Sequence, residues 1–210
     1  MSLAIKLLTG TSSSAGGSAK WSWLRTGDWQ APSPCTDWDA RDVLEHVIGF
    51  HDVLLLRPLG LKPDRPRDDP QLRWELTYRA LEKALEPGRR LFERVVDVPQ
   101  LQGNPPMKLD ARAMMPNLTR DVLVHTWDLA RAVGADDHLD AQWCEQFYAA
   151  LPTDTAALSV SRMFDAPVAV SDHTDVQSKL LARLGRNPSW QPHVPRFPCV
   201  AEPQTGPVAE

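Results

Sequence analysis

Two histidines and one aspartate have the residue types and the spacing of a metal site. Asp121 and His125 lie four residues apart, so on a helix their side chains project from one face. His46 has apolar residues at the neighbouring helical positions, which indicates that its ring points into a helical core. Two imidazoles and one carboxylate are the donor set of an open divalent metal site, with positions left for water or substrate.

A purely structural explanation of these residues stays open at this point. An acid four residues before a histidine is also a weak helix pair, and the chain contains a second case in Asp42 and His46. A histidine beside apolar residues is more often a hydrogen-bonded core residue than a ligand. Spacing alone therefore makes His46, Asp121 and His125 candidate metal ligands and identifies no catalytic residue.

Asp128 and Cys35 have chemistry of their own. Asp128 lies three residues after His125, where a carboxylate can orient an imidazole, but an ion pair with Arg131 is the alternative. Cys35 precedes a predicted helix start, where a thiolate is favoured, yet the sequence offers it no obvious paired base. The remaining histidines are predicted to be surface or loop residues: His51, His138, His173 and His193.

Helices must position these residues, and the sequence predicts five of them. Apolar residues recur at three- and four-residue steps, and prolines, glycines or capping side chains mark the ends. The predicted helices cover about residues 38–56, 70–86, 117–133, 141–151 and 173–185. The expected caps are Thr36 or Asp37, Asp68 or Asp69, Asn117, and Asp140. Outside the helices we expect a further turn at 91–96, irregular chain at 97–110 and extended chain at 167–170.

Composition narrows the class of protein. The 210 residues suffice for one domain with a sizeable core, and none of the windows holds the ~18 uninterrupted apolar residues of a membrane span. A net charge of −4 argues against a nucleic-acid partner. Three widely spaced cysteines give neither a disulfide framework nor a metal knuckle, and the apolar start is too short for a secretory signal. The sequence therefore predicts an all-α helical bundle in the cytoplasm, with no membrane partner.

Two segments carry a family resemblance. Residues 34–49, PCTDWDARDVLEHVIG, and 121–134, DVLVHTWDLARAVG, resemble the two motifs of the mycothiol-dependent maleylpyruvate isomerase N-terminal domain, a metal-binding family of the DinB-like superfamily. Residues 180–190, LLARLGRNPSW, resemble the closing segment of short actinobacterial members. The resemblance implies a DinB-like four-helix bundle over residues 28–190, with long loops and an extra C-terminal helix. A flexible or irregular segment, 1–27, with a shortened or irregular first helix would precede it, and a Pro-rich tail, 191–210, would follow.

The resemblance also implies a cofactor and a chemistry. In that family a histidine of the first motif and an acid and a histidine of the second hold a divalent metal, which places the ligands at His46, Asp121 and His125. The family's acid is usually glutamate, so Asp121 is a departure with a shorter arm. The expected metal is Zn²⁺, with Ni²⁺ as the alternative, and the expected cosubstrate is mycothiol or a similar low-molecular-weight thiol.

The predicted function is that of a metal-dependent enzyme of the mycothiol S-transferase or isomerase type, acting on a small electrophilic molecule. A metal-dependent hydrolase and a non-catalytic metal- or ligand-binding stress protein are the alternatives. The sequence leaves the substrate open, and it leaves open whether the protein forms a homodimer.

Overall fold

The computed structural model describes residues 28–61, 64, 66, 68–85, 95–98, 107–153 and 164–192. Its elements are α1 (Ala40–His51), α2 (Pro70–Leu85), β1 (Val95–Val98), β2 (Met107–Asp110), α3 (Ala111–Val133), α4 (Ala141–Ala150) and α5 (Val176–Arg183). The fold is helical, as predicted, and the two strands form only a small hairpin. The predicted N-terminal segment, 1–27, and all but two residues of the predicted tail, 191–210, lie outside the described residues.

Helix α1, which carries His46, begins with a reciprocal cap. The Asp39 carboxylate accepts from the Asp42 backbone N–H at 2.9 Å, and the Asp42 carboxylate accepts from the Asp39 N–H at 3.2 Å. Two donors at the helix start are thereby satisfied. The expected cap at Thr36 or Asp37 is therefore wrong. A π-helical turn, Asp52–Leu56, continues the helix, so the predicted helix 38–56 is confirmed in extent but not in type throughout.

Helix α2 begins and docks as its sequence suggests. The Asp69 carboxylate accepts from the Leu72 backbone N–H at 2.8 Å, which confirms one of the two expected caps. Arg73 then donates to both carboxylate oxygens of Glu45 on α1, at 2.7 and 2.5 Å. This paired contact fixes α2 against the helix that carries His46.

Helix α3 is longer than the sequence indicates. Its cap is Asp110, whose carboxylate accepts from the Arg112 and Ala113 N–H groups at 2.8 and 3.3 Å, so the expected start at Asn117 is wrong. Pro116 lies within the helix, where it has no backbone N–H to donate, and the helix continues past it to Val133. At the other end Gly134 takes the left-handed conformation, with φ of 68°, and ends the helix as predicted.

The hairpin corrects the prediction for residues 91–110. Strands β1 and β2 pair antiparallel, with Val95 opposite Asp110 and Val98 opposite Met107. Residues 95 and 96 are thus in a strand rather than a helical turn, and 107–110 are regular rather than irregular. Strands of four residues are too short to show a clear alternation of apolar and polar residues. Much of their stabilisation comes from side-chain pairs with the partner strand, which the local sequence does not reveal. Residues 167–170, expected to be extended, include no assigned strand, although the Val168 N–H donates to Ala182 O at 2.8 Å.

Helix α3 joins two hydrophobic clusters. One face of the helix packs with α1 and α2 through Leu118, Val122 and Leu129. Another face packs with α4 and α5 through Leu123, Val124 and Trp127. At 3.6 residues per turn, the polar residues 121, 125 and 128 form a third stripe between these two apolar faces.

The last helices have aspartate caps and a glycine stop. Asp140 caps α4 by accepting from the Trp143 N–H at 3.1 Å, as predicted, and Asp175 caps α5, which is shorter than expected. Gly185 follows α5 with φ of 80°. A Cβ on Gly185 would lie 2.6 Å from the Asp165 Cβ and 2.7 Å from its carbonyl oxygen, so only glycine fits this turn. The turn sets the position of Arg186, whose N–H donates to Leu181 O at 2.9 Å.

Membrane-spanning helices are not found among the described residues: each of the helices there is too short or too polar to cross a bilayer.

Candidate metal centre

The structure brings together the three candidate ligands predicted from the sequence. His46 lies on α1, and Asp121 and His125 lie on α3, which packs against α1. Asp121 Oδ1 is 3.6 Å from His46 Nε2 and 3.5 Å from His125 Nε2. The donor atoms of all three lie within 4.8 Å of one another. The shorter arm of Asp121 therefore still reaches the point on which both imidazoles converge.

The distances around Asp121 fit an ion better than direct hydrogen bonds. Charge-assisted hydrogen bonds between nitrogen and oxygen are about 2.7–2.9 Å long, well below the distances here. Two ligands at ~2.1 Å from a tetrahedral zinc ion are about 3.4 Å apart. The second oxygen of Asp121, Oδ2, is buried and has no hydrogen-bond partner among the described residues. A buried, partly unpaired carboxylate is unfavourable unless a cation compensates it, so the donor set fits a divalent metal.

The three groups also perturb one another's protonation. Burial would raise the pKa of Asp121, but the facing imidazoles of His125 and His46 outweigh burial and hold that pKa below its usual range. Burial would lower the pKa of His125, but Asp121 and Asp128 raise it well above its usual value. A metal that bound here would displace a proton, because a ligating imidazole nitrogen must be unprotonated.

The other ring nitrogen of His125 faces a closed network. Asp128 Oδ2 accepts from His125 Nδ1 at 2.8 Å, and Arg186 Nε donates to Asp128 Oδ1 at 3.1 Å. Asp128 is completely buried, yet His125 and Arg186 outweigh the effect of burial and hold its pKa below the usual range. The prediction that Asp128 orients an imidazole is confirmed in geometry. The alternative pairing with Arg131 is wrong, since Arg131 Nε lies 2.6 Å from Asp137 Oδ2.

Cys35 completes this network. Its thiol donates to Asp128 Oδ2 at 3.2 Å, and Arg186 Nη2 donates to its sulfur at 3.2 Å. The sulfur is also 4.0 Å from His125 Nδ1. Burial raises the pKa of the Cys35 thiol despite the neighbouring His125 and Arg186. Cys35 therefore has the polar neighbours that the sequence did not reveal, and it uses them as a neutral thiol that supports the Asp128 carboxylate.

A cavity of about 410 Å³ opens beside the candidate ligands. Its walls include His46, Asp121 and His125 together with three aromatic side chains: Trp38, Phe50 and Phe164. The His46 ring lies between Trp38 and Phe50, with centroid distances of 5.0 and 5.8 Å. His46 is also the most exposed of the three candidates, with 35% of its side chain accessible. A small molecule therefore reaches the three donors from the His46 side.

The other histidines behave differently from one another. His51, expected at the surface, is buried, and its Nδ1–H donates to Val47 O at 2.7 Å. The expectation is wrong because His51 lies on the buried face of α1, four residues after Val47 and three after Ile48. His138 and His173 are exposed, as predicted, and His193 lies outside the described residues.

The comparison with protein families decides the family. The model of the mycothiol maleylpyruvate isomerase N-terminal domain matches residues 15–130. This chain belongs to that family. The match contains His46, Asp121, His125 and Asp128, and the helical fold agrees with the DinB-like architecture that the resemblance implied.

Two curated relatives match part of the chain. They are uncharacterized proteins from two strains of Mycobacterium tuberculosis, each 26% identical over 119 residues, which are 57% of this chain and 62% of the relative. The chain thus spans about three fifths of the length of these relatives. No solved structure matches the chain.

Arg186 is the functional residue that sequence reasoning missed. It lies outside the matched range of the family model, yet it contacts both Asp128 and Cys35. One signal for it exists in the sequence: an aspartate on the buried side of a helix needs a cation, and Arg186 follows the glycine that ends the last predicted helix.

Proposed function

We propose that this protein binds a divalent metal at His46, Asp121 and His125 and uses it to join a low-molecular-weight thiol to a small electrophilic molecule. The metal is Zn²⁺, with Ni²⁺ as the alternative, and the thiol is mycothiol or a close analogue. One observation carries the metal site: Asp121 Oδ1 lies 3.6 and 3.5 Å from two imidazole nitrogens, and its other oxygen is buried without a partner among the described residues.

The donor set supports catalysis rather than a purely structural site. Structural zinc sites are closed by four protein ligands, whereas catalytic sites have three and an open position. Here three donors border a cavity that also contains Thr36 and Asp165. A divalent metal bound there would lower the pKa of a coordinated thiol, so that the thiolate is present at neutral pH.

Cys35 and Arg186 also line the cavity, and its three aromatic residues suit a small, partly apolar electrophile. Trp38, Phe50 and Phe164 provide apolar walls that exclude water from the reacting sulfur. Asp121 and the two histidines hold one end of the cavity polar. The description of the family names mycothiol, and for that reason we propose mycothiol as the thiol. The reaction is then either transfer of the thiol to the electrophile or isomerisation by addition and elimination.

The first test is elemental analysis of protein purified without added metal. We expect about one zinc or nickel per chain in the wild type and its loss in His46→Ala, which should leave the fold intact because 35% of the His46 side chain is accessible. His138→Ala is the matched control, since His138 is exposed and pairs with Asp136 rather than with the candidate ligands. Wild-type protein that neither retains nor takes up a divalent metal would overturn the proposal.

The second test separates the chemistries. Mycothiol consumption with a model electrophile is followed in metal-loaded and chelator-treated protein, with ester hydrolysis measured in the same samples. We expect thiol consumption that depends on the metal and is lost in His46→Ala. Metal-dependent hydrolysis without thiol consumption would favour the hydrolase, and retained metal without turnover would favour a binding protein.

A further inference from the structure

The guanidinium of Arg186 is paired with the carboxylate of Asp128. Its side chain is buried, and it makes three hydrogen bonds to Asp128: Nε to Oδ1 at 3.1 Å, Nε to Oδ2 at 3.2 Å and Nη2 to Oδ2 at 3.1 Å. Nη2 also donates to Cys35 Sγ at 3.2 Å, and Nη1 lies 3.5 Å from Leu184 O. A guanidinium held in this way fixes both the position and the plane of the carboxylate.

The carboxylate in turn determines how His125 is presented. Asp128 Oδ2 accepts from His125 Nδ1 at 2.8 Å, so the Nδ1 position carries a proton. Once Nε2 has released its own proton, its lone pair lies on the opposite edge of the ring, which faces Asp121 Oδ1 at 3.5 Å. In known metal sites such a hydrogen bond on the far nitrogen sets both the tautomer and the orientation of the ligating ring.

Arg186 reaches this network because of how α5 ends. Gly185 turns the chain in the left-handed conformation, and the Arg186 N–H closes the turn on Leu181 O. Leu180, Leu181 and Leu184 anchor the same segment in the cluster formed with α4 and one face of α3. Arg186 therefore follows a helix end that is packed in the core, and this packing determines where the guanidinium lies.

We propose that Arg186 is a positioning residue for the metal site, which acts through Asp128 to hold His125 with its proton on Nδ1 and Nε2 toward the metal. Helix α5 and its terminal turn then belong to the site, although they lie beyond the 15–130 range of the family match. The inference rests on the proposed metal site, but the first step, from Arg186 to His125 Nδ1, has a readout of its own.

The sign of the effect separates this role from simple electrostatics. A guanidinium close to a cation repels it, so loss of the charge alone would tighten metal binding. Loss of a group that orients a ligating histidine weakens metal binding by about 10–100-fold. The two explanations therefore predict opposite changes when Arg186 is replaced.

Competition titration of zinc against a chromophoric chelator measures the change. We expect Arg186→Met to weaken zinc binding by about 10–100-fold, and Arg186→Lys to weaken it less, since lysine keeps the charge but not the planar fork. Arg183→Met is the matched control, because Arg183 is the neighbouring arginine of α5 and its Nη2 contacts Pro152 O and Thr153 O on the exposed side. We expect zinc affinity in that control to match the wild type. Unchanged or tighter binding in both Arg186 variants would overturn the proposal.

A double variant tests the route. In an Asp128→Asn background, addition of Arg186→Met is expected to change zinc affinity by less than about twofold, because residues that act in series are not additive. A full further loss in the double variant would show that Arg186 does not act through Asp128 and would overturn the proposal. Far-ultraviolet circular dichroism identifies variants that have lost the fold, and Arg186→Lys keeps the test valid if Arg186→Met is one of them.

NMR of the histidine side chains tests the first step without zinc. We expect a solvent-protected Nδ1–H proton for His125 in the wild type, and its loss or fast exchange in Arg186→Met but not in Arg183→Met. If wild-type protein binds no zinc but shows this behaviour, the metal site is wrong and the action of Arg186 on His125 stands. A protected proton that persists in Arg186→Met, or none in the wild type, overturns the proposed role of Arg186.

Discussion

His125 has a carboxylate at each ring nitrogen, and the two sides differ in almost every respect. On the cavity side, Asp121 Oδ1 is 3.5 Å from Nε2. On the core side, Asp128 Oδ2 is 2.8 Å from Nδ1. Asp128 accepts from Arg186, His125 and Cys35, whereas Asp121 Oδ2 is buried with no partner among the described residues.

Aspartate thus has two different roles on α3: Asp128 supports an imidazole, and Asp121 is a candidate ligand. Asp121 and Asp128 are two helical turns apart, and both are buried. Asp128 has its own cation, so it is complete as a hydrogen-bond acceptor. Asp121 has only the two imidazoles, at 3.6 and 3.5 Å, and in the proposed metal site an ion between it and the imidazoles would complete its pairing. The pairing of a buried carboxylate, more than its burial, separates a supporting group from a candidate ligand.

The largest effect is expected when the imidazole shared by both sides is removed. We predict that His125→Ala abolishes stoichiometric zinc binding and retains the helical content, and that His46→Ala does the same from the other helix. Loss of one of three ligands exceeds the ~10–100-fold effect of losing a group behind a ligand. Zinc analysis after gel filtration checks this. Full zinc content in both variants would show that neither histidine is a metal ligand.

We expect replacement of Asp121 to have the larger effect on zinc affinity and replacement of Asp128 to have the larger effect on the free energy of unfolding. Asp121→Ala should weaken zinc binding by more than about 100-fold, and Asp128→Ala by about 10–100-fold. Asp128→Ala should destabilise the fold more, by about 3–5 kcal/mol, because it leaves the Arg186 charge buried and unpaired. Zinc titration and urea unfolding of both variants decide the matter. The same rank in both measurements would contradict the division of roles.

Replacement of Asp121 by the longer glutamate tests how closely the site is fitted to an aspartate. We predict that Asp121→Glu preserves or strengthens zinc binding, since the family usually carries glutamate at this position and the spacing to His125 is unchanged. Isothermal titration compares the two proteins. A tenfold loss, about 1.4 kcal/mol, would instead mean that the spacing of α1 and α3 is fitted to the short side chain of aspartate.

The smallest effect is expected at an exposed aspartate with neither role. Asp175 caps α5 by accepting from the Ser178 N–H at 2.9 Å, so Asp175→Ala should cost about 1 kcal/mol of stability and leave zinc affinity unchanged. The Ser178 hydrogen bond lowers the pKa of Asp175. The stabilisation is therefore present above the ordinary value of ~3.9 and is lost as the pH falls through the lower folded pKa. Urea unfolding at several pH values checks the shrinking difference between the two proteins, and any change in zinc affinity would contradict the separation of roles.

The candidate ligands could be predicted because their information is local. Asp121 and His125 are linked by helical spacing, and His46 is marked by apolar neighbours on its own helix. The meeting of α1 and α3 was not local, and it came from the family resemblance. The start of α3 was missed because Pro116 resembles a boundary, while the Asp110 cap that starts the helix is the last residue of a strand too short to recognise.

Arg186 could not be paired from the sequence by the same means. It is 58 residues from Asp128, and periodicity does not connect residues on different elements. Asp128 had a nearer candidate in Arg131, three residues away on the same helix. That arginine instead pairs with Asp137 in the loop between α3 and α4, and its guanidinium lies 5.4 Å from the Trp127 ring. Local spacing favoured the wrong cation because the depth of each side chain is set only by tertiary packing.

Gly185 has a consequence for how this protein can evolve. Any side chain there would meet the Cβ and backbone of Asp165 at 2.6–2.8 Å, in a backbone conformation that other residues rarely adopt. In a library with every amino acid at every position, residue 185 should be as intolerant of replacement as the proposed metal ligands, although glycine contributes no functional group. A ranking of positions by tolerance would thus include a residue whose contribution is the absence of a side chain.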